Sequence, residues 1–215
     1  MRCHECFFFW FWYIGPGVRT EVMSVWSPCP QSSKAPRRAC SRRSGGLAEL
    51  GAPLEAGVRS ALLQAAGRVA LIMSPGSVGI TLFGLGKLGV PLESGVRSAL
   101  LQAVERAALS MSPGSVGNTL RGLGELGVPL ESGVRSALLQ AAERVAPGMC
   151  PATVGNTLCG LGQLNVALDG SVRTALLQAL ERVAPNMDGS ATARSAWSAW
   201  RRLQLKRCSS KLPPS

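Results

Sequence analysis

Two groups of side chains in this sequence have the chemistry to engage another molecule. The first lies near the carboxyl end, where cations and indoles interleave: Arg194, Trp197, Trp200, Arg201 and Arg202, with Lys206 and Arg207 behind them. Guanidinium groups contact phosphate and an indole face stacks on a base, so the pattern suits single-stranded nucleic acid. It equally suits an amphipathic capping helix with both indoles docked on the preceding hairpin, and the two readings are compatible. The second group is Ser115, Asn118, Arg121, Thr153 and Asn156. An Asn amide presents donor and acceptor together, as a base edge does. Its plainer alternative is a structural hydrogen bond between helices. Arg121 can stack on a base or grip phosphate, or simply be solvated. Ser115 and Thr153 can reach a base or bond their own helical turn.

Catalytic arrangements do not emerge. The only histidine is His4. No Ser/His/Asp or Cys/His set is formed, and no phosphate loop of the P-loop type occurs. Gly-Leu-Gly at 84–86, 122–124 and 160–162 is not a nucleotide fingerprint, because no strand pattern precedes it. Cys3-His4-Glu5-Cys6 has C-x-x-C spacing, but no second pair follows at zinc-finger distance, so it reads as free thiols. The seven cysteines are scattered and odd in number, which argues against a complete disulfide framework. The expectation is a protein without catalytic residues, metal or cofactor.

The elements that position these side chains follow from a repeat. Met73, Met111, Met149 and Met187 are spaced by 38 residues, and the segments between them are near copies. A fixed period in this range is the signature of a helical array. Each unit holds two helices. In the middle unit the first opens at Ser112-Pro113, a good N-cap followed by a favoured first residue. Val116, Leu120, Leu123 and Leu126 form its apolar stripe, and Gly127 closes it. The second runs from near Glu131 to Ala146, with Val134, Leu138, Leu139, Ala142 and Val145 as its buried face. Glu131/Arg135, with Glu55/Arg59, Glu93/Arg97 and Asp169/Arg173, have the i, i+4 spacing of helix-surface ion pairs. One hairpin cannot bury its own apolar face, so about three must stack. The expected fold is all-α, an α-solenoid of stacked helical hairpins. Its array spans 47–205: a half unit 47–72, full units 73–110, 111–148 and 149–186, and a terminal half unit 187–205. Glycines at 79, 84, 86, 117, 122, 124, 155, 160 and 162 fall inside the first helices, each costing about 0.5–1 kcal/mol relative to Ala. Either they let neighbouring helices approach closely or they leave the array loose until a partner binds.

Residues 1–46 read as a targeting leader, mostly disordered. Its apolar run CFFFWFWYI at 6–14 is shorter than the roughly 20 residues that span a bilayer. It suits a signal-peptide core, and the Ser/Pro/Arg-rich stretch after it suits a transit peptide. Residues 206–215 read as a disordered basic tail. Of the formal net charge of +11, seven Lys/Arg against two acids lie in 1–46 and six against none in 191–215, while 47–190 holds ten of each. The array therefore has no electrostatic funnel of its own.

The period and the run Asn118-Thr119-Leu120-Arg121-Gly122-Leu123-Gly124-Glu125-Leu126-Gly127 resemble the octotricopeptide repeat family, whose units carry a motif of the type N-T-L-W-A-x-A-x-L-G. Asn156-Thr157-Leu158-Cys159-Gly160-Leu161-Gly162 matches equally, and Thr81-Leu82-Phe83-Gly84 follows Ile80 in the Asn place. The family's Trp is replaced by Phe83, Arg121 and Cys159, and its Ala positions are mostly Gly; Trp197 alone keeps the Trp. The resemblance covers about 47–205. It implies an organellar α-solenoid that binds single-stranded RNA and controls its stability, processing or translation, with first-helix side chains facing about one base per repeat. Positions that vary within the scaffold are then the informative ones: Ile80/Asn118/Asn156, Phe83/Arg121/Cys159 and Lys87/Glu125/Gln163, the last expected to face outward as ordinary polar positions. With the leader, the expected location is the plastid, alternatively the mitochondrion. The competing reading is a protein–protein scaffold of the same shape, which the neutral array favours. No stable membrane span is expected.

Overall fold

A computed structural model describes residues 55–186 together with Ser198 and Trp200. All of them belong to the second of two compact units, Ser44–Ser215. The leader at 1–46, the tail at 206–215, and Arg194, Trp197, Arg201 and Arg202 lie outside the described residues.

The described chain is helical, and it contains no strand among the described residues. Seven helices of 14 residues follow one another: α1 Ala56–Val69, α2 Pro75–Leu88, α3 Ser94–Ala107, α4 Pro113–Leu126, α5 Ser132–Val145, α6 Pro151–Leu164 and α7 Gly170–Val183. Short 3-10 turns follow α1, α3, α5 and α7 at Ala70–Ile72, Ala108–Ser110, Ala146–Gly148 and Ala184–Asn186.

Local chemistry sets the limits of α2, α4 and α6. Ser74 and Ser112 accept hydrogen bonds from the amides of Ser77 and Ser115 at 3.2 and 3.3 Å, with Pro75 and Pro113 at the first helical position. The helices close at Gly89, Gly127 and Asn165, all left-handed, with φ of 59°, 61° and 58°. The following amides, of Val90, Val128 and Val166, donate back to Leu85, Leu123 and Leu161 carbonyls, and those valines are buried. This is the Schellman closure with its apolar contact. Asn165 tolerates the left-handed region because its short polar side chain can bond locally.

Among the described residues, three of the expected pairs, Glu55/Arg59, Glu93/Arg97 and Glu131/Arg135, do not form ion pairs. Glu55, Glu93 and Glu131 are N-caps with extended backbone, ψ near 150°. Their carbonyls accept from the amides of Arg59, Arg97 and Arg135. An extended residue does not lie on the helical surface, so the carboxylate is aimed away from the residue four places on. A different arginine recurs instead. Arg106, Arg144 and Arg182 donate through Nη2 to the carbonyls of Met73, Met111 and Met149 at 2.8, 2.8 and 2.7 Å. Arg144 and Arg182 also reach Ala108 and Ala146 carbonyls at 3.5 and 3.3 Å. The Met73, Met111 and Met149 carbonyls directly follow a 3-10 turn, where a cation is well placed, while those of Ala108 and Ala146 already accept from the amides of Met111 and Met149.

Helix pairs pack side by side. The most extensive contacts join α2 to α4 and α4 to α6; α1, α3, α5 and α7 pack in sequence beside them. Val78, Leu82, Leu100, Val116, Leu120, Leu138, Val154, Leu158 and Leu176 are 0–1 % exposed and fill the space between the two rows. Each fully buried Leu or Val contributes about 1.5–3 kcal/mol. Thr119 and Thr157 are also fully buried and direct their hydroxyls at the sulfurs of Met111 and Met149, at 3.7 and 3.9 Å.

Six of the first-helix glycines, at 79, 86, 117, 122, 124 and 160, serve close approach, while Gly84, among the described residues, does not. A Cβ on Gly122 would strike the backbone of Leu82 and Phe83 in the preceding first helix, and one on Gly160 the backbone of Leu120 and Arg121. On the opposite face a Cβ on Gly86 would lie 2.9 Å from the Gly122 carbonyl oxygen. Both sides of these contacts are main chain, which cannot move aside. The helix-propensity cost of glycine is here the condition for α2, α4 and α6 to meet.

Candidate nucleic-acid interface

The variable positions of α2, α4 and α6 divide between surface and interior, for Ile80 is exposed while Cys159 is buried in the core. Ile80, Asn118 and Asn156 share one register. Ile80 is 62 % exposed, and the two asparagines are half-buried. Asn156 donates through Nδ2 to Asn118 Oδ1 at 3.4 Å, so the amides join across adjacent helices. The interhelical bond weighed from sequence is present.

Two turns further on from Asn118, Glu125 gathers two cations. Its Oε1 accepts from Arg121 Nε at 2.7 Å and from Lys87 Nζ at 2.9 Å. The Arg121 pair is i, i+4 within α4, and the Lys87 pair crosses from α2. The Glu125 side chain is 13 % exposed, and its Oε2 is buried without a hydrogen-bond partner. Lys87 also sits 5.5 Å from the Phe83 ring centroid, within cation–π range. Glu125 is therefore not the ordinary outward polar residue expected from sequence. The close approach of α2 and α4 brings Lys87 over it, and a spacing of 38 residues gives no hint of that meeting. Arg121 reaches the surface with its charge already paired.

Ser115 and Thr153 are 9 % and 8 % exposed and turn toward their own N-caps. Ser115 Oγ lies 2.9 Å from Ser112 Oγ, and Thr153 Oγ1 lies 3.3 Å from Cys150 Sγ. The cap, not the outer face, claims these hydroxyls. Trp200 is helical and 7 % exposed, part of the apolar core. Arg194, Trp197, Arg201 and Arg202 have no described geometry to set beside it.

Cys150 is exposed at the N-cap of α6. Burial of part of the thiol pushes its pKa up, while the Thr153 hydroxyl and the first-turn amides lower it; the balance falls below the ordinary 9.0. Among the described residues there is no cluster of three or more potential metal-binding side chains, and no helix is long and apolar enough to cross a membrane. No protein-family model matches the chain, and no curated protein matches it.

Proposed function

We propose that the chain is an organellar α-solenoid of stacked 38-residue hairpins that binds single-stranded RNA and acts in its stability, processing or translation. The plastid is the first location to test and the mitochondrion the second. The supporting observation is the row Ile80, Asn118, Asn156: one side chain per unit, at one register of successive first helices, with two amides in line. One polar position per repeat at a shared register is what reading one base per repeat requires. The resemblance to the octotricopeptide repeat motif points the same way, and the basic, indole-bearing segment from Arg194 to Arg202 would add phosphate contacts.

The test is filter binding of single-stranded RNA at rising salt. Log affinity should fall linearly with log salt concentration. Replacing Arg201 and Arg202 by Ala should weaken binding and flatten that slope, and Asn118→Ala should alter base preference. Absence of RNA retention at low salt overturns the proposal.

A second reading, a protein–protein scaffold of the same architecture, is favoured by one observation. Glu125 pairs with both Lys87 and Arg121, so the described first-helix face presents little free positive charge. Under that reading the RNA titration is blank at every salt concentration while the chain remains helical by circular dichroism.

A further inference from the structure

The charged cluster at the seam between α2 and α4 is built unlike an ordinary surface ion pair. Two cations share one carboxylate oxygen: Glu125 Oε1 accepts from Arg121 Nε at 2.7 Å and from Lys87 Nζ at 2.9 Å. Glu125 Oε2 is buried with no hydrogen-bond partner among the described residues. One acid against two cations leaves one positive charge in excess, on side chains 22 % (Arg121) and 40 % (Lys87) exposed. Donors are in excess as well. A guanidinium carries five N–H groups and an ammonium three, and Glu125 engages one of each. The ammonium is further held over the Phe83 ring, 5.5 Å from its centroid. Two cations bonded to one atom stand close enough for the oxygens of a single phosphate to meet both. The cluster also adjoins the asparagine row. Phe83 and Lys87 follow Ile80 by three and seven residues, as Arg121 and Glu125 follow Asn118, and these spacings fall on one side of a helix.

We propose that Lys87 and Arg121 form a binding site for one backbone phosphate of a single-stranded RNA, and that Glu125 positions both cations while limiting their pull. The site rests on the RNA-binding reading above and gives it a phosphate contact inside the array, apart from the segment at 194–202. Its charge suits the ligand. Glu125 holds the two donors side by side, and its carboxylate repels an incoming anion, so the cluster attracts with a net charge of one. A phosphodiester carries one negative charge. Exchange of Glu125 for Gln keeps an acceptor oxygen for both cations and removes the repulsion, so the carboxylate is a brake on affinity as well as a brace.

The experiment is filter binding of single-stranded RNA by the full chain across a salt series, with circular dichroism of every variant. Glu125→Gln should bind several-fold more tightly at low salt. Glu131→Gln, which removes the same charge from an exposed cap of the second helices, should stay near the unsubstituted chain. The double variant Lys87→Gln/Arg121→Gln should bind more weakly and flatten the slope of log affinity on log salt by about 0.7, the value for one phosphate contact on a single strand. Equal gains from Glu125→Gln and Glu131→Gln overturn the site, because net charge then explains both. An unchanged slope in the double variant, with RNA still retained, also overturns the site and leaves the RNA-binding reading intact. Should Glu125→Gln lose its helicity, the double variant decides alone. No retention by any of these chains, Glu125→Gln included, overturns site and reading together.

Discussion

Cys150 stands where Ser74 and Ser112 stand in the other two first helices, and the exchange of oxygen for sulfur changes what the position can do. A serine caps by accepting an amide hydrogen bond; the thiol forms no such bond. Its anion, however, gains from the Thr153 hydroxyl and from first-turn amides enough to overcome partial burial, so the thiol ionises below 9.0. The folded-state value is depressed, so its contribution to stability is fully present above the unfolded value and is lost as pH falls through the folded one. Iodoacetamide should therefore modify Cys150 in the native chain with a pH midpoint lower than in the urea-unfolded chain, as followed by peptide mass mapping. Cys159, 6 % exposed, should remain unmodified until unfolding. Equal midpoints for native and unfolded Cys150 would remove the effect. The other site residues show how far types and spacing reach. Ser115, Asn118, Arg121, Thr153 and Asn156 were identifiable as polar positions on first helices, and the Asn118–Asn156 bond was one of two readings open for them. The remaining hydroxyls and the guanidinium bond residues three or four places along their own helix, a spacing the chain order does contain, whereas the Lys87–Glu125 contact across helices is one it does not.

At the scale of the helices, capping was legible and pairing was not. Ser-Pro at the start and Gly at the end set α4 at Pro113–Leu126, as the residues on either side dictate. The Glu131/Arg135 spacing had the form of a surface pair, yet the acid is the cap and its backbone is extended. Arg144 was the arginine with work to do, and its recurrence as Arg106 and Arg182 was visible in the repeat. Its acceptors are carbonyls 33 and 36 residues back, which no local rule selects. The two arginines make a direct comparison. Arg144→Met leaves the Met111 carbonyl without its charged donor and should cost about 1–2 kcal/mol in urea unfolding, allowing for its solvent exposure. Arg135→Met, with no ion pair to lose, should stay within about 0.5 kcal/mol. Equal losses would show that the Arg144 bond contributes nothing beyond an ordinary surface hydrogen bond.

For the described array as a whole, the period of 38 announced paired helices, while the direction in which the pairs meet was hidden. Gly122 opens one Gly-Leu-Gly triplet and Gly86 closes another, and their duties are opposite: one receives the preceding helix, the other faces the following one. That difference decides how damage spreads. A Cβ at Gly122 must displace the backbone of Leu82 and Phe83, so Gly122→Ala opposes a gain of about 0.5–1 kcal/mol in helix propensity with an overpacking cost of about 1–3 kcal/mol. The net loss falls on the contact between α2 and α4. Because each helix packs chiefly on its neighbours, stability in such an array is close to a sum of adjacent terms. Hydrogen exchange read by mass spectrometry should then show faster exchange in α1 and α2, now attached through a weakened contact, while α6 and α7 keep their protection. If protection falls by the same factor in all seven helices, the array unfolds as one cooperative block and nearest-neighbour packing does not govern it. If no helix changes, the backbone contact at Gly122 is looser than the structure places it.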